Sequence, residues 1–270
     1  MSVPAGIPDA VQHEIDDDRF PEWQPFLDAV QRRGPDAGTW CAAWTVRDIV
    51  IHQAGNAEEL ARVLGGHLAG EPVATRRFEE REAPLRAMNE ADLWAALHGN
   101  MARLNEVAEA ADDLPADTDV AWTGRTMKAP WFAEHMREEL VLHGWDITGD
   151  DAAAQARMAQ PWMTTHSVLA VGKPLLVKGA QLVKDARQLR PGERIEARLR
   201  VDGADDVLVS ADSEGATIEL ADPDGPATLE TDSAARVLLL WGRRPGDPSR
   251  IRSRVGPEEL GRLRTLLSGY

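Results

Sequence analysis

Hydrophobic residues recur at helical spacing through four segments in the first part of the chain. Polar loops that contain proline or glycine separate these segments from one another. The segments run from Trp23 to Val30, from Val46 to Leu64 after a Thr45 cap, from Leu93 to Ala111 after Asn89, and from Phe132 to Ile147 after Pro130. Four amphipathic helices with this pattern predict a four-helix bundle over residues 1–150.

The pattern changes in the second part of the chain. Residues 151–185 predict a bridging helical stretch that is broken at Pro161 and Pro174. From Arg194 onward, apolar and polar residues alternate, and turn signals separate several short strands. Helices are expected from Ser233 and from Pro257. Residues 186–270 therefore predict a small α+β domain with a mostly antiparallel sheet, and the whole chain is predicted to be α+β.

Glu139 and His143 lie four residues apart, on or beside the apolar stripe of the fourth predicted helix. An ionised carboxylate that points inward is costly unless it is paired or binds a metal. The side chain of His52 is expected to point towards the core from the second predicted helix. Two histidines and one glutamate from two helices would make a three-ligand metal site with open positions.

Other interpretations of these residues remain open. Glu139 and His143 also fit a hydrogen-bonded pair at a helix surface, and His52 fits a histidine at a helix edge. His135 is a competing ligand because His135, Glu139 and His143 repeat at four-residue steps. That trio would span about 12 Å along one helix, whereas ligands lie ~2.0–2.2 Å from an ion. We therefore favour His52, Glu139 and His143 and place His135 outside the site.

Composition narrows the possible partners and location. The net charge of −15 argues against non-specific binding to nucleic acid or to anionic membranes. No apolar run approaches the ~20 residues of a membrane span, and the N-terminus does not have the order of a signal peptide. The single cysteine, Cys41, excludes an intrachain disulfide and suits a reducing cytoplasm. Its position between Trp40 and Trp44 favours a packed apolar role over a nucleophilic one.

Two segments resemble the signatures of a known family. Residues 39–56, TWCAAWTVRDIVIHQAGN, resemble the C-x-x-W-T-V-R-D-h-h-x-H signature of the mycothiol-dependent maleylpyruvate isomerase family, which has a DinB-like helical bundle. Residues 137–146, REELVLHGWD, resemble its second signature, in which an arginine comes first, a glutamate precedes a histidine by four residues, and Trp-Asp follows. The order of elements, including a Trp-Gly-Arg stretch near the end, is also similar.

This resemblance implies a divalent metal, usually zinc, bound by His52, Glu139 and His143, and it implies mycothiol as a thiol cosubstrate. It also implies a substrate-binding arginine in the C-terminal domain. Arg243 is the favoured catalytic candidate and Arg244 its alternative. Both arginines also fit a simpler role at a solvent-exposed helix end, where a positive charge complements the helix dipole. Asp146 is either an acceptor that fixes the tautomer of a metal-bound histidine or a carboxylate at a helix end.

The predicted function is a metal-dependent and mycothiol-dependent enzyme that acts on a small electrophile. It would be a cis–trans isomerase, in which thiolate addition to a double bond permits rotation before elimination, or a thiol S-transferase. The alternative is a non-catalytic metal-binding, ligand-binding or regulatory member of the same fold. Metal-dependent hydrolysis is a weaker option, because no second carboxylate near His143 is an obvious general base.

Overall fold

The computed structural model describes residues 15–186 and 192–268. Residues 1–14 of the predicted bundle, and residues 187–191 next to the predicted domain boundary, lie outside the described part. The described chain divides into two compact units. One comprises residues 15–23 and Val50–Ala133, and the other comprises Gln24–Ile49 and residues 134–268. The two units are described separately.

The first unit is helical with one hairpin. It contains α2 (Val46–Leu68) from Val50 onward, followed by α3 (Phe78–Arg86), α4 (Glu90–Ala111), β1 (Asp119–Trp122) and β2 (Arg125–Lys128). The side chain of Asn89 accepts a hydrogen bond from the backbone N–H of Asp92 and so caps α4 as predicted. Asn100 Nδ2 donates to the carbonyl of Ala54 at 3.0 Å, which joins α4 to α2.

The helices of the second unit precede Val50 and follow Ala133 in the sequence. They are α1 (Trp23–Arg33, from Gln24), the start of α2, α5 (Trp131–Thr148, from Glu134), α6 (Ala152–Met158), α7 (Pro161–His166), the π-helix Ser167–Gly172 and α8 (Lys173–Asp185). Thr45 and Asp48 form the predicted capping box. The Thr45 N–H donates to Asp48 Oδ2 at 2.9 Å, and the Asp48 N–H donates to Thr45 Oγ1 at 3.2 Å.

Pro174 does not break the bridging stretch in the way that the sequence predicts. The π-helix leads directly into α8, and Pro174 lies in the first turn of α8. The π-helix interrupts the regular i→i−4 bonding pattern directly before the point where Pro174 lacks an N–H, so the helical chain continues through this proline. Pro161 likewise begins α7, so the expected interruption occurs only there.

The second unit ends in a five-stranded sheet with two helices. Its strands are β3 (Ile195–Val201), β4 (Asp206–Ala211), β5 (Ala216–Ala221), β6 (Leu229–Thr231) and β7 (Ile251–Ser253), and its helices are α9 (Ser233–Leu240) and α10 (Pro257–Leu266). The strand order is β5-β4-β3-β6-β7. The β3–β6 pair is parallel, and the other described pairs are antiparallel. The prediction of an α+β chain, with a helical N-terminal region and a small, mostly antiparallel sheet, is confirmed.

Two elements of the first unit are not predicted from the sequence. Helix α3 is short and charged, contains Pro84, and buries the polar residues Arg81 and Glu82. The hairpin of β1 and β2 has strands of only four residues, too short for a clear alternating pattern. The division into residues 1–150, 151–185 and 186–270 stays a prediction. No helix among the described residues combines the length and the apolar character that a membrane crossing requires.

Candidate metal centre

Helix α5 positions two of the three predicted ligands. Glu139 and His143 are both buried, at 6% and 4% exposure. The four-residue spacing places them one turn apart, with His143 Nε2 3.4 Å from Glu139 Oε2. The carboxylate and the imidazole thus face each other in a site with little solvent, and the interpretation as a pair at the helix surface does not hold.

A buried ion pair holds the other nitrogen of His143. Asp146 Oδ2 lies 2.9 Å from His143 Nδ1, and Arg243 donates from Nε and Nη2 to the two Asp146 oxygens at 2.7 and 2.6 Å. Burial alone would raise the pKa of Asp146, but the charge and hydrogen bonds of Arg243 outweigh it and lower that pKa to about 2. Asp146 is therefore an ionised partner of His143, not an isolated helix-end carboxylate.

The same contacts act on the protonation of His143. Burial by itself lowers the pKa of this imidazole, and the hydrogen bonds and charges of Asp146 and Glu139 more than offset it, so the pKa is raised. A neutral His143 with its proton on Nδ1, towards Asp146, leaves the lone pair of Nε2 directed at the side of Glu139. This is the tautomer that a metal ligand requires.

Aromatic and sulfur groups from the segment before α2 cover this part of α5. The Trp44 ring stacks on the His143 ring, with centroids 5.7 Å apart and an interplanar angle of 6°. The Trp40 N–H donates to the Asp146 carbonyl at 2.7 Å. Burial, and then the charge of Asp146, raise the pKa of the Cys41 thiol, with Arg243 opposing. A thiol with a raised pKa is a poor nucleophile, which agrees with the packed role expected for Cys41.

His52 lies on α2 in the first unit and has its own carboxylate partner. Its Nδ1 is 3.1 Å from Glu82 Oε1 on α3, and Arg86 donates to Glu82 Oε2 at 2.8 Å. The Phe78 ring stacks on His52 at 4.8 Å between centroids. The arrangement repeats that of His143: imidazole Nδ1, carboxylate, then arginine. His52 belongs to the first unit and the other two residues to the second, so the three-ligand set stays a prediction.

The predicted arginines differ in their surroundings. Arg243 is largely buried on Asp146, and its Nη1 donates to the Trp241 carbonyl at 3.1 Å. Arg244 is exposed. The link between Arg243 and Asp146 is not predictable from the sequence pattern, because 97 residues separate the two. Glu82 is not predicted either, because it lies on the unpredicted helix α3.

His135, which we placed outside the site, is buried next to further titratable groups. Its Nε2 lies 3.7 Å from Glu139 Oε1. Glu138 and His166 are buried in the same unit, and burial raises the pKa of Glu138 to about 7 despite the opposing charge of His166. The three-residue spacing of His135 and Glu138 on one helix face is a signal that could have indicated Glu138. Nothing in the bridging stretch pointed to His166.

The arrangement suits binding of a divalent metal better than acid–base chemistry. Buried imidazole and carboxylate oxygen are ordinary ligands for zinc and related ions. Asp146 lies beside His143, but its oxygens are held by Arg243 and by His143. It is therefore poorly placed to serve as the general base of a hydrolase.

Comparison with known proteins assigns the N-terminal half of the chain to a known domain family. The sequence profile of the mycothiol maleylpyruvate isomerase N-terminal domain matches residues 20–148. A comparison with curated protein sequences found no match. Two solved structures are similar in fold, a mycothiol-dependent maleylpyruvate isomerase and a mutant of it. They are 17% and 16% identical to this chain, with TM-scores of 0.56 and 0.55, and each alignment covers 90% of this chain and 95% of the other. Residues 20–148 therefore belong to the family of mycothiol maleylpyruvate isomerase N-terminal domains.

Proposed function

We propose that this protein is a metal-dependent and mycothiol-dependent enzyme that acts on a small electrophile. His52, Glu139 and His143 would hold a divalent ion, which we propose to be Zn²⁺. The observation that carries the proposal is the buried series from Arg243 through Asp146 and His143 to Glu139. It fixes an imidazole nitrogen beside a carboxylate, away from solvent.

The residues fit such an ion because their outer partners are already in place. Asp146 lies against Nδ1 of His143, and Glu82 lies against Nδ1 of His52. Carboxylates at these positions fix the ring orientation of a metal-bound histidine and typically change metal affinity by about 10–100-fold. When bound, a zinc ion would supply a site at which a thiol loses its proton near neutral pH.

The course of α2 supports including His52 with the other two ligands. In the second unit, the Trp44 ring lies on the ring of His143. Thr45 follows directly and caps α2, and His52 comes two turns along that helix. The family membership and the Nδ1–carboxylate contact support the same role.

The reaction we propose needs a nucleophilic thiolate and a held substrate. In the isomerase version, the sulfur forms a bond to one alkene carbon and the π electrons move to the adjacent carbonyl. After rotation, the electrons return and the C–S bond breaks. Arg243 is our candidate for binding a substrate carboxylate, with Arg244 as the alternative. Arg243 also donates to Asp146, and Asp146 contacts His143. Substrate binding at Arg243 would therefore be coupled to the orientation of the His143 ring.

The proposal is tested by NMR with purified protein, Zn²⁺, mycothiol and maleylpyruvate. An isomerase converts the cis substrate while the mycothiol signal stays constant. A transferase consumes mycothiol in step with an electrophile. Either activity should fall by at least about a hundredfold in His143→Ala, and the His67→Ala variant on α2 should keep it. Metal binding with neither activity, on unsaturated dicarboxylates or other electrophiles, would instead support the non-catalytic alternative.

Location and partners are part of the same proposal. Family membership implies a small-molecule substrate and a thiol as partners. We propose a cytoplasmic location, where a single cysteine would stay reduced. The absence of nucleic-acid and membrane partners is still predicted from the net charge of −15.

A further inference from the structure

A second buried group of histidine and glutamate side chains lies next to the candidate centre, within the second unit. His135 and Glu138 come from α5, and His166 comes from the end of α7. One potential ligand atom from each lies within 4.8 Å of the others. Their exposures are 5%, 0% and 1% respectively. Donor atoms at such distances can be drawn onto one ion by small side-chain movements.

Glu138 is held by one oxygen and presents the other to the group. Its Oε1 accepts hydrogen bonds from Trp241 Nε1 at 3.0 Å and from the Ser167 hydroxyl. Its Oε2 lies 3.5 Å from His166 Nε2. The fixed Oε1 leaves Oε2 as the oxygen that an ion would contact.

His166 is oriented in the same way as His143. Its Nδ1 lies 2.6 Å from Glu134 Oε1, so a neutral ring with its proton on Nδ1 turns the Nε2 lone pair towards Glu138. The rings of His135 and His166 stack with centroids 5.6 Å apart and an interplanar angle of 22°. Imidazole ligands of bound metals usually donate from the other ring nitrogen to a carboxylate, a backbone carbonyl or water, and Glu134 is such a partner.

The free oxygen of Glu138 also supports an ion at this place. Glu138 Oε2 is buried, and no described residue donates a hydrogen bond to it. A buried polar atom without a hydrogen bond is costly. A divalent cation held by Glu138, His135 and His166 would satisfy that oxygen.

We propose that His135, Glu138 and His166 bind a second divalent transition-metal ion of the zinc, cobalt or nickel class. Two imidazoles and one carboxylate match the ligand preferences of these ions. The three ligands are independent of the proposed function. A further part of the inference does rest on it: Glu139 lies between the two sites, with Oε2 3.4 Å from His143 Nε2 and Oε1 3.7 Å from His135 Nε2. If both ions were bound, Glu139 would offer one carboxylate oxygen on the side of each site.

The experiment counts ions. Metal-free wild type, His143→Ala, His166→Ala and the double variant are titrated with Zn²⁺, and bound metal is measured by elemental mass spectrometry after desalting. His67→Ala is the histidine control, and circular dichroism checks folding. We expect two equivalents in wild type and in the control, one in each single variant, and none in the double variant.

The results separate this inference from the proposed function. One equivalent in wild type and in His166→Ala, with none in His143→Ala, would overturn the second site and leave the first intact. One equivalent in wild type that survives His143→Ala and is lost in His166→Ala would instead remove the first site. Should His166→Ala not fold, Glu138→Gln replaces it. If neither His166→Ala nor Glu138→Gln folds, the metal content of His143→Ala decides alone. One retained equivalent of metal supports the second site, and no retained metal refutes it.

Discussion

At the residue scale, Asp146 is the side chain on which the candidate centre depends most. It has no exposed surface, it pairs through both oxygens with Arg243, and it contacts the Nδ1 of His143. A buried pair of this kind is costly to break, because the remaining charge stays buried without compensation. Stability and metal binding should therefore both respond to a change of this one carboxylate.

We expect Asp146→Asn to lower the free energy of unfolding by about 3–5 kcal/mol and zinc affinity by about 10–100-fold. Urea unfolding and a zinc competition assay measure the two effects. Asp112→Asn is a matched control, since Asp112 also binds an arginine through both oxygens but is 61% exposed. Its cost should stay below about 1 kcal/mol. Equal costs for the two variants would contradict the role given to burial.

At the scale of elements, close contacts and ion pairs between neighbouring segments hold the second unit together. Helices α8 and α10 approach closely at Gly179, where an added Cβ would overlap the carbonyl oxygen of Leu266. In the sheet, Asp206 on β4 receives hydrogen bonds from Arg198 and Arg200 on β3 at 2.6 Å each. The helix contact depends on the absence of a side chain at Gly179, and the strand contact depends on the charge of Asp206. Each contact gives a separate prediction.

The Gly179→Ala substitution should destabilise the protein by about 1–3 kcal/mol, because backbone in α10 must move to admit the methyl group. Gly261→Ala is the control within α10, where an added Cβ meets nothing within 4 Å. It should stabilise by about 0.5–1 kcal/mol through the helix preference of alanine. Thermal unfolding measures both. Stabilisation by both substitutions would show that α8 and α10 do not pack as described.

Asp206 should make stability depend on pH in the acidic range. Burial alone would raise its pKa, but hydrogen bonds from Arg200 and Arg198 outweigh it and the pKa is lowered. A lowered pKa in the folded state means that the contribution is present above about pH 4 and is lost as the pH falls below it. Wild type should lose more stability than Asp206→Asn between pH 6 and 3 in urea unfolding. Parallel curves would exclude this ion pair as the cause.

The sequence predicts elements well where the pattern is regular. Residues 195–201 alternate cleanly and form β3, and the Thr45 cap marks the start of α2. It fails where polar residues are buried by distant partners. Glu82 depends on the unpredicted α3, Arg243 on a carboxylate 97 residues earlier, and Glu138 on Trp241. Such contacts depend on tertiary packing, which periodicity does not encode.

At the scale of the whole molecule, bound metal should stabilise the folded state. A ligand at a thousand times its Kd contributes about 4 kcal/mol, which corresponds to a rise in Tm of roughly 10 °C. Calorimetry with Zn²⁺, and then with a chelator, measures the change. The double variant His143→Ala/His166→Ala should show almost no zinc-dependent shift. A full shift in that variant would place the bound metal elsewhere in the protein.

The central claim is that a thiol cosubstrate reaches a metal held by His52, Glu139 and His143. Absorption spectroscopy of the Co²⁺-loaded protein during titration with mycothiol tests it most directly, because a thiolate bound to cobalt gives a charge-transfer band. We predict a band that saturates near one equivalent of mycothiol in wild type and His67→Ala and is missing in His143→Ala. A wild-type protein that holds cobalt but shows no such band with mycothiol would contradict the account.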